Sequence, residues 1–217
     1  MSFNVRNWTR DTDKTSPFYW KARVSAICRC IADVKPDVIC VQECLPPVVR
    51  KIKRKGYKRV GLGVSHLIFV RKGIIGRKHH FSIFMDWCDV GDLRVINVHS
   101  RWEKKIAENV VKKTLQLSSS KDAVACGDFN TALSSLQSMG MSLTHARSYL
   151  RHPLQDTFIN FKNEKRHGEI DHFFLKGLTP QAFRIIREDY GCERMSDHYP
   201  IVLELSHFNQ GATEIYV

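Results

Sequence analysis

Two short strings carry two carboxylates, a carboxamide and an imidazole: Gly127-Asp128-Phe129-Asn130 and Ser196-Asp197-His198. Carboxylates hold hard divalent cations, and an imidazole beside a phosphate can donate or move a proton. Four further polar groups stand at the ends of apolar runs. Asn4 closes the opening segment, Glu43 follows Val38 to Gln42, His99 ends Val95-Ile96-Asn97-Val98, and Asp171 opens Asp171-His172-Phe173-Phe174. A lone Asp at a strand end is usually a turn former. Six such placements in one chain point to one assembled site, because functional groups of α/β domains gather where strands end in loops.

The elements that must position these groups alternate along the chain. Met1 to Val5 reads as a strand. Ser16-Pro17 supplies a helix cap and first-turn proline, and Phe18, Val24, Ile27, Ile31 and Val34 recur near helical spacing until Pro36. Asp37 to Gln42 is a buried strand, and Pro46-Pro47 opens a basic helix that runs to about Lys55 and ends at Gly56. His66–Val70, Phe81–Asp86 and Leu93–His99 are strands, with β-branched and aromatic enrichment. Trp102 to Leu117 is a second clear helix, with Ile106, Val110 and Leu117 inward. Ala123–Cys126 is a short buried strand, 133–150 is mostly helical, and Ile170–Leu175, Phe183–Ile186 and Ile201–Leu205 are strands. No repeat, low-complexity run or linker interrupts them, so the expectation is a single α/β domain over residues 1–217.

Taken in order, Asn4, Gln42-Glu43, Asn97-x-His99, Gly127-Asp128-Phe129-Asn130, Ile170-Asp171 and Ser196-Asp197-His198-x-Pro200 resemble the endonuclease/exonuclease/phosphatase superfamily, the DNase I-like fold. The match spans nearly the whole chain and keeps the family's order. The resemblance implies a four-layer α/β/β/α sandwich, two mixed sheets face to face with helices outside. It implies Glu43 as the main metal-binding carboxylate, with Asn4 and Asp197 assisting on the metal side. Asp128 would orient or deprotonate the attacking water, and Asn130 would touch phosphate. His198 would stand beside the scissile phosphate with Asp171 orienting it, and His99 would be a second imidazole on a phosphate oxygen. Arg6 and Asn97 are expected to contact substrate. The cofactor expected is Mg2+, with Mn2+ as a substitute.

Departures from the family pattern narrow the subgroup. Glu169 stands where many relatives have Arg before the strand Asp. No Trp-Cys string marks an inositol-polyphosphate phosphatase, and Asn97-Val98-His99 lacks the tyrosine of abasic-site endonucleases. Asn4-Val5-Arg6 with Trp20 and Arg23 resembles a bacterial-type subset with loosely defined substrates.

Net charge directs attention to the partner. Lys and Arg number 34 against 22 Asp and Glu, a formal charge of +12 that favours polyanions, nucleic acid first. Residues 50–59, Arg-Lys-Ile-Lys-Arg-Lys-Gly-Tyr-Lys-Arg, are the densest basic run, read equally as a phosphate contact or a solvated helix face. Trp8, Phe18, Tyr19 and Trp20 are available for base stacking, though core or rim positions are commoner for such residues. Asp11 and Asp13 read as loop acids, His79-His80 as surface histidines and Asp156 as a turn or cap acid. Seven cysteines with no CxxC pair read as small buried hydrophobes of a reducing compartment. No run is long enough to span a membrane. The expectation is an intracellular monomer, cytoplasmic or nuclear, whose N-terminus has lost a leader or a few strand residues if any preceded Met1.

Three functions compete at this level: a Mg2+-dependent nuclease, a phosphoesterase for a phospholipid, sphingomyelin or sugar phosphate, and a binding module with a dead site. The intact Glu43, Asp128, Asp171 and His198 argue against the third. DNA against RNA, and internal against terminal cleavage, stay open.

Overall fold

The computed structural model describes residues 1–7, 9, 11–44, 46–61, 63–161, 167–206 and 215–216. Their elements are, in order, β1 (Ser2–Asn4), α1 (Trp20–Val34), β2 (Val38–Gln42), α2 (Pro46–Arg54), β3 (Tyr57–Arg59), β4 (Leu67–Arg71), β5 (Gly76–Ser82), β6 (Met85–Val90) and β7 (Leu93–His99). There follow α3 (Lys104–Ser118), β8 (Ala123–Asp128), α4 (Leu133–Ser138), β9 (Thr144–His145), α5 (Ala146–Tyr149), β10 (Phe158–Ile159) and β11 (His167–Gly168). The last are β12 (Asp171–Lys176), β13 (Thr179–Ile185), β14 (Ile201–Ser206) and β15 (Ile215–Tyr216).

One mixed sheet runs β13-β14-β1-β2-β4-β3, with β15 against β14, and the other runs β5-β6-β7-β8-β12-β9. Period-2 alternation explains why they face each other. Val38 and Cys40 of β2 and Val124 and Cys126 of β8 enter one apolar layer between the sheets. Ile39 and Val41 point the other way, onto Val24, Ile27 and Ile31 of α1 and Val48 and Ile52 of α2. Ile96, Val98 and Ala125 pack on Val110, Val111 and Leu117 of α3. The three apolar layers make the expected four-layer α/β/β/α sandwich of two mixed sheets flanked by helices.

Register places the polar strand ends at one edge. β1 and β2 are parallel with Asn4 opposite Gln42, and β7 and β8 are parallel with His99 opposite Asp128. β12 runs antiparallel to β8 with Asp171 opposite Asp128. β14 is antiparallel to β1, so His198, just before β14, arrives at the same edge.

Several boundaries differ from the sequence expectation. The first helix begins at Trp20 with Tyr19 as its cap, not at Ser16-Pro17. Trp20 N donates to Asp11 O, and Arg23 Nε to Phe18 O, which holds 16–19 as a turn ahead of the helix. The run Phe81–Asp86 is the tip of a β5–β6 hairpin rather than a strand, with exposed Ile83 in the turn and no Gly, Asn or Asp to announce it. Residues 133–150, expected as mostly helical with loops, hold two short helices joined by a loop that also carries the strand β9. Strands β3, β9, β10 and β11 have only two or three residues each, too few for periodicity to reveal. Six cysteines are buried and free, and Cys192 is half-buried and free. Trp8 and the side chains of His79 and His80 lie outside the described parts.

Candidate active site

The Asp128 backbone is shaped by its neighbour. Gly127 has φ +140°, and a Cβ there would meet Val98 O at 2.0 Å, so no other residue fits without moving β7. Asp128 Oδ1 accepts the Asn130 N–H at 2.8 Å, and Oδ2 accepts Asn4 Nδ2–H at 2.9 Å. The same oxygen lies 3.6 Å from His198 Nε2 and 3.9 Å from His99 Nε2.

His198 Nδ1 bonds Asp171 Oδ2 at 2.8 Å, and Asp171 Oδ2 also accepts the Thr157 hydroxyl at 2.7 Å. Thr157 Oγ1 in turn accepts the N–H groups of Ile170 and Asp171 at 3.1 and 3.0 Å. Phe158 forms a bridge with His198 and packs its ring 5.0 Å from the imidazole. Burial opposes a charge on His198, but Asp171 and then Asp128 outweigh it and raise its pKa to about 10. Burial also dominates at Asp128, whose carboxyl rises to about 6 although His198 pulls against it. Burial lowers the pKa of His99 below the ordinary histidine range despite Asp128 and Glu43 nearby.

Glu43, just past β2, closes the opposite side. Its Oε2 accepts Asn7 N–H at 2.8 Å and its Oε1 lies 3.4 Å from Asn4 Nδ2. It is half-buried, its hydrogen bonds come from the neutral Asn7 and Asn4 groups, and a carboxylate oxygen is the ligand type a hard cation takes. Asn4 is oriented differently from the metal ligand expected. Its Oδ1 accepts the Arg6 N–H at 3.0 Å, which turns the amide nitrogen toward Glu43 and Asp128. It therefore joins the two carboxylates by donating to both. Arg6, Glu43 and Asn130 have φ of 50°, 54° and 50°, left-handed conformations that cost non-glycine residues energy. Three strained positions at one sheet edge fit a site that positions side chains at the expense of stability.

Arg6 and Asp197 are paired with each other. Arg6 Nη1 donates to Asp197 Oδ2 at 2.5 Å, and Arg6 Nε donates to Asp11 Oδ2 at 2.9 Å. Arg23, almost fully buried, adds Nη2 to Asp11 at 2.8 Å and Nη1 to the carbonyls of Val5 and Met195. Asp11 is thus the hub of an ion-pair network and not the loop acid expected, whereas Asp13 is an exposed turn acid bonded to Thr15. Asp197 Oδ2 is taken by Arg6, but Oδ1 faces Ser196 Oγ at 3.2 Å while the single Ser196 proton goes to Asn4 O at 2.7 Å, so Oδ1 keeps lone pairs and Asp197 stays a candidate on the metal side. Asn97 corrects another expectation. It is fully buried between the sheets, accepts from Gln42 Nε2 at 2.6 Å and donates to the carbonyls of Val41 and Leu67. Burial and committed donors remove it from substrate; it pins one sheet to the other. Asn130 spends Nδ2 on Ser100 O at 3.0 Å. Asp156 pairs with His167 at the surface, as a turn acid can.

The sequence reading missed Thr157. Its signal was one hydroxyl beside an unremarkable Asp, and its partner lies 14 residues away across a loop.

A model of the Endonuclease/Exonuclease/phosphatase family matches residues 1–198. The chain belongs to this family. Members of the endonuclease/exonuclease/phosphatase family are phosphoesterases and nucleases, so phosphoester chemistry is the activity this membership supports. No curated protein matches the sequence. Among solved structures, humanized D. rerio TDP2 superposes with a TM-score of 0.77 at 18% identity, covering 95% of this chain and 97% of that one. A mannosyl-6-phosphatase from Bacteroides thetaiotaomicron gives 0.67 at 20% identity, covering 95% and 98%. A 3′ phosphatase from Neisseria, bound to a product DNA hairpin, gives 0.70 at 16% identity, covering 95% and 98%. Likeness at this identity establishes the shared fold. No described helix is long and apolar enough to cross a membrane.

Proposed function

We propose that this member of the family is a Mg2+-dependent phosphodiesterase that hydrolyses nucleic acid. The observation that carries the reading is the line Thr157–Asp171–His198–Asp128, joined through Asn4 to Glu43. At neutral pH His198 holds its proton and Asp128 is ionised, yet basic enough to accept one from water. His198 Nε2 stops 3.6 Å from Asp128, too far for a direct hydrogen bond, which leaves its N–H for a substrate oxygen. Water oxygen bonds to phosphorus, the bond from phosphorus to the leaving oxygen breaks, and the water proton passes to Asp128. The imidazolium stabilises the charge that builds on phosphate, and Asp171 keeps it oriented. Glu43 would hold Mg2+, or Mn2+ in its place, which when bound supplies positive charge to phosphate oxygens.

Two features support a nucleic-acid substrate. The +12 charge is one. The other is a groove of about 480 Å3 between α1 and α2 whose lining includes Trp20, Lys21, Arg50, Lys51 and Arg54. D. rerio TDP2 has also been solved with a single-strand DNA product. A second reading, a sugar-phosphate or lipid-headgroup phosphoesterase, draws on a recess of about 420 Å3 lined by Trp102, Phe158, Asn160, His167, Gly168 and Ile170, which suits one compact group. A Mg2+ panel of single- and double-stranded DNA, RNA, bis-p-nitrophenyl phosphate, a sugar phosphate and a choline phospholipid separates the two, with Glu43→Ala as control. Nucleic-acid cleavage that chelator abolishes and Glu43→Ala lacks is expected. Activity confined to the sugar phosphate or lipid would replace the first reading with the second.

A further inference from the structure

On the face of β12 opposite Asp171 lies a second cluster that the catalytic line does not use: His145 at the end of β9, His172 in β12 and Glu169 just before it, all buried. His145 Nε2 and His172 Nδ1 are 3.2 Å apart, and Glu169 Oε1 is 3.9 Å from the first and 3.8 Å from the second. We propose that these three atoms are a metal site for one Zn2+-like cation, separate from the Glu43 end of the active site.

Spacing is the first argument. The point equidistant from the three atoms lies about 2.1 Å from each, within the roughly 2.0–2.2 Å that zinc keeps to imidazole nitrogen and carboxylate oxygen. The second argument is the outer ring of hydrogen bonds, which orients metal-binding histidines in general. His172 Nε2 bonds Thr131 O at 2.9 Å; a carbonyl can only accept, so the proton is on Nε2 and Nδ1 presents a lone pair. His145 Nδ1 faces Ser148 Oγ at 3.0 Å, a hydroxyl that can accept as readily as donate. The tautomer of His145 protonated at Nδ1 therefore satisfies Ser148 and frees Nε2, with no net proton gained or lost. Arg147 Nε donates to Glu169 Oε1 at 2.7 Å and its Nη1 to His152 O. Arg147 remains the donor behind the carboxylate; its charge weakens cation binding without removing a ligand. Among the described residues, Glu169 Oε2 has only a 3.4 Å contact from Gln155 N, which leaves it for a fourth position.

Two imidazoles and one carboxylate suit Zn2+ or Co2+, whereas Mg2+ takes oxygen ligands and keeps its waters. The two sites thus differ in metal class. A cation here would clamp β9 to β12 and, through Thr131, to the loop carrying Asn130. It would brace Asp171 from behind without touching substrate.

The test uses the whole chain, stripped with chelator, dialysed and exposed to Zn2+ or Co2+, with metal content and visible absorption as readouts. The wild type should retain one Zn2+ per chain, give the intense visible spectrum of four-coordinate Co2+, and melt at a higher temperature once loaded. Glu43→Gln should retain that zinc, while His145→Gln and Glu169→Gln should lose it. Glu169→Gln removes a different ligand and covers the case in which His145→Gln does not fold. A wild type that retains no zinc, a weak six-coordinate Co2+ spectrum, zinc lost in Glu43→Gln, or zinc kept by folded His145→Gln would each overturn the site.

Discussion

At the scale of single residues, the site sets two groups against each other across one short gap. Asp128 and His198 stand 3.6 Å apart; burial holds the Asp128 carboxyl up against the pull of His198, and Asp171, then Asp128, hold the proton on His198. Activity should rise as pH passes about 6, where Asp128 ionises, and fall as pH passes about 10, where His198 loses its proton. A kcat/KM profile in Mg2+ checks this, and a rate that keeps climbing past that upper limb refutes the role of the imidazolium. The sign for stability follows from the same shift. The folded pKa of His198 lies above its ordinary 6.5, so its contribution is full below 6.5 and is lost as pH rises through about 10. His198→Ala should cut kcat by about 10^2–10^4-fold, the usual scale for a positioned acid or base, with an unchanged circular dichroism spectrum. Thr157→Val removes the hydroxyl that holds Asp171 and leaves two N–H groups unpaired. It should cost on the order of 1–3 kcal/mol in stability and lower kcat more than it raises KM. The types of these candidate site residues were legible because each stands beside an apolar run. Thr157 was not, because a hydroxyl declares its role only through the partner that tertiary folding brings to it.

At the scale of elements, strand ends carry the chemistry and their backbones carry the strain. Glu43 at φ 54° should tolerate glycine better than alanine. Glu43→Gly and Glu43→Ala should both be inactive, but the glycine variant should be more stable by about 1 kcal/mol in urea unfolding. Equal stability would mean that the left-handed conformation costs little here. Gly127→Ala should be worse than either, since its Cβ would meet the backbone oxygen of Val98, which cannot rotate away. A loss of at least about 1–3 kcal/mol and of activity together is expected, read by thermal melting and turnover. Element type and order were largely legible: the runs Val38–Gln42, Leu93–His99 and Ala123–Cys126 alternate or stay apolar for long enough to declare themselves strands. The start of α1 was not, because Ser16-Pro17 suits a turn as well as a helix, and Arg23 and Asp11, from outside that segment, decide between them.

At the scale of the whole molecule, charge governs encounter. Replacing Arg50, Lys51 and Arg54 of α2 together with Gln should raise KM for nucleic acid with kcat little changed. It should also flatten the dependence of log KM on log salt, because fewer counterions are then released on binding. An unchanged salt slope would show that substrate does not use that groove. What the sequence determined by itself is the set of chemical groups and their order along the chain. Those follow from local patterning, an apolar run that ends in a polar residue. What only the tertiary structure decided is who meets whom. Asn4 reaches Asp128 across 124 residues, Asn97 disappears between two sheets, and Asp11 becomes the half-buried hub of an ion-pair network. Such outcomes depend on sheet register and layer packing. A one-residue slip in β8 would turn Asp128 to the other face, and nothing within the strand itself records which neighbour holds it in place.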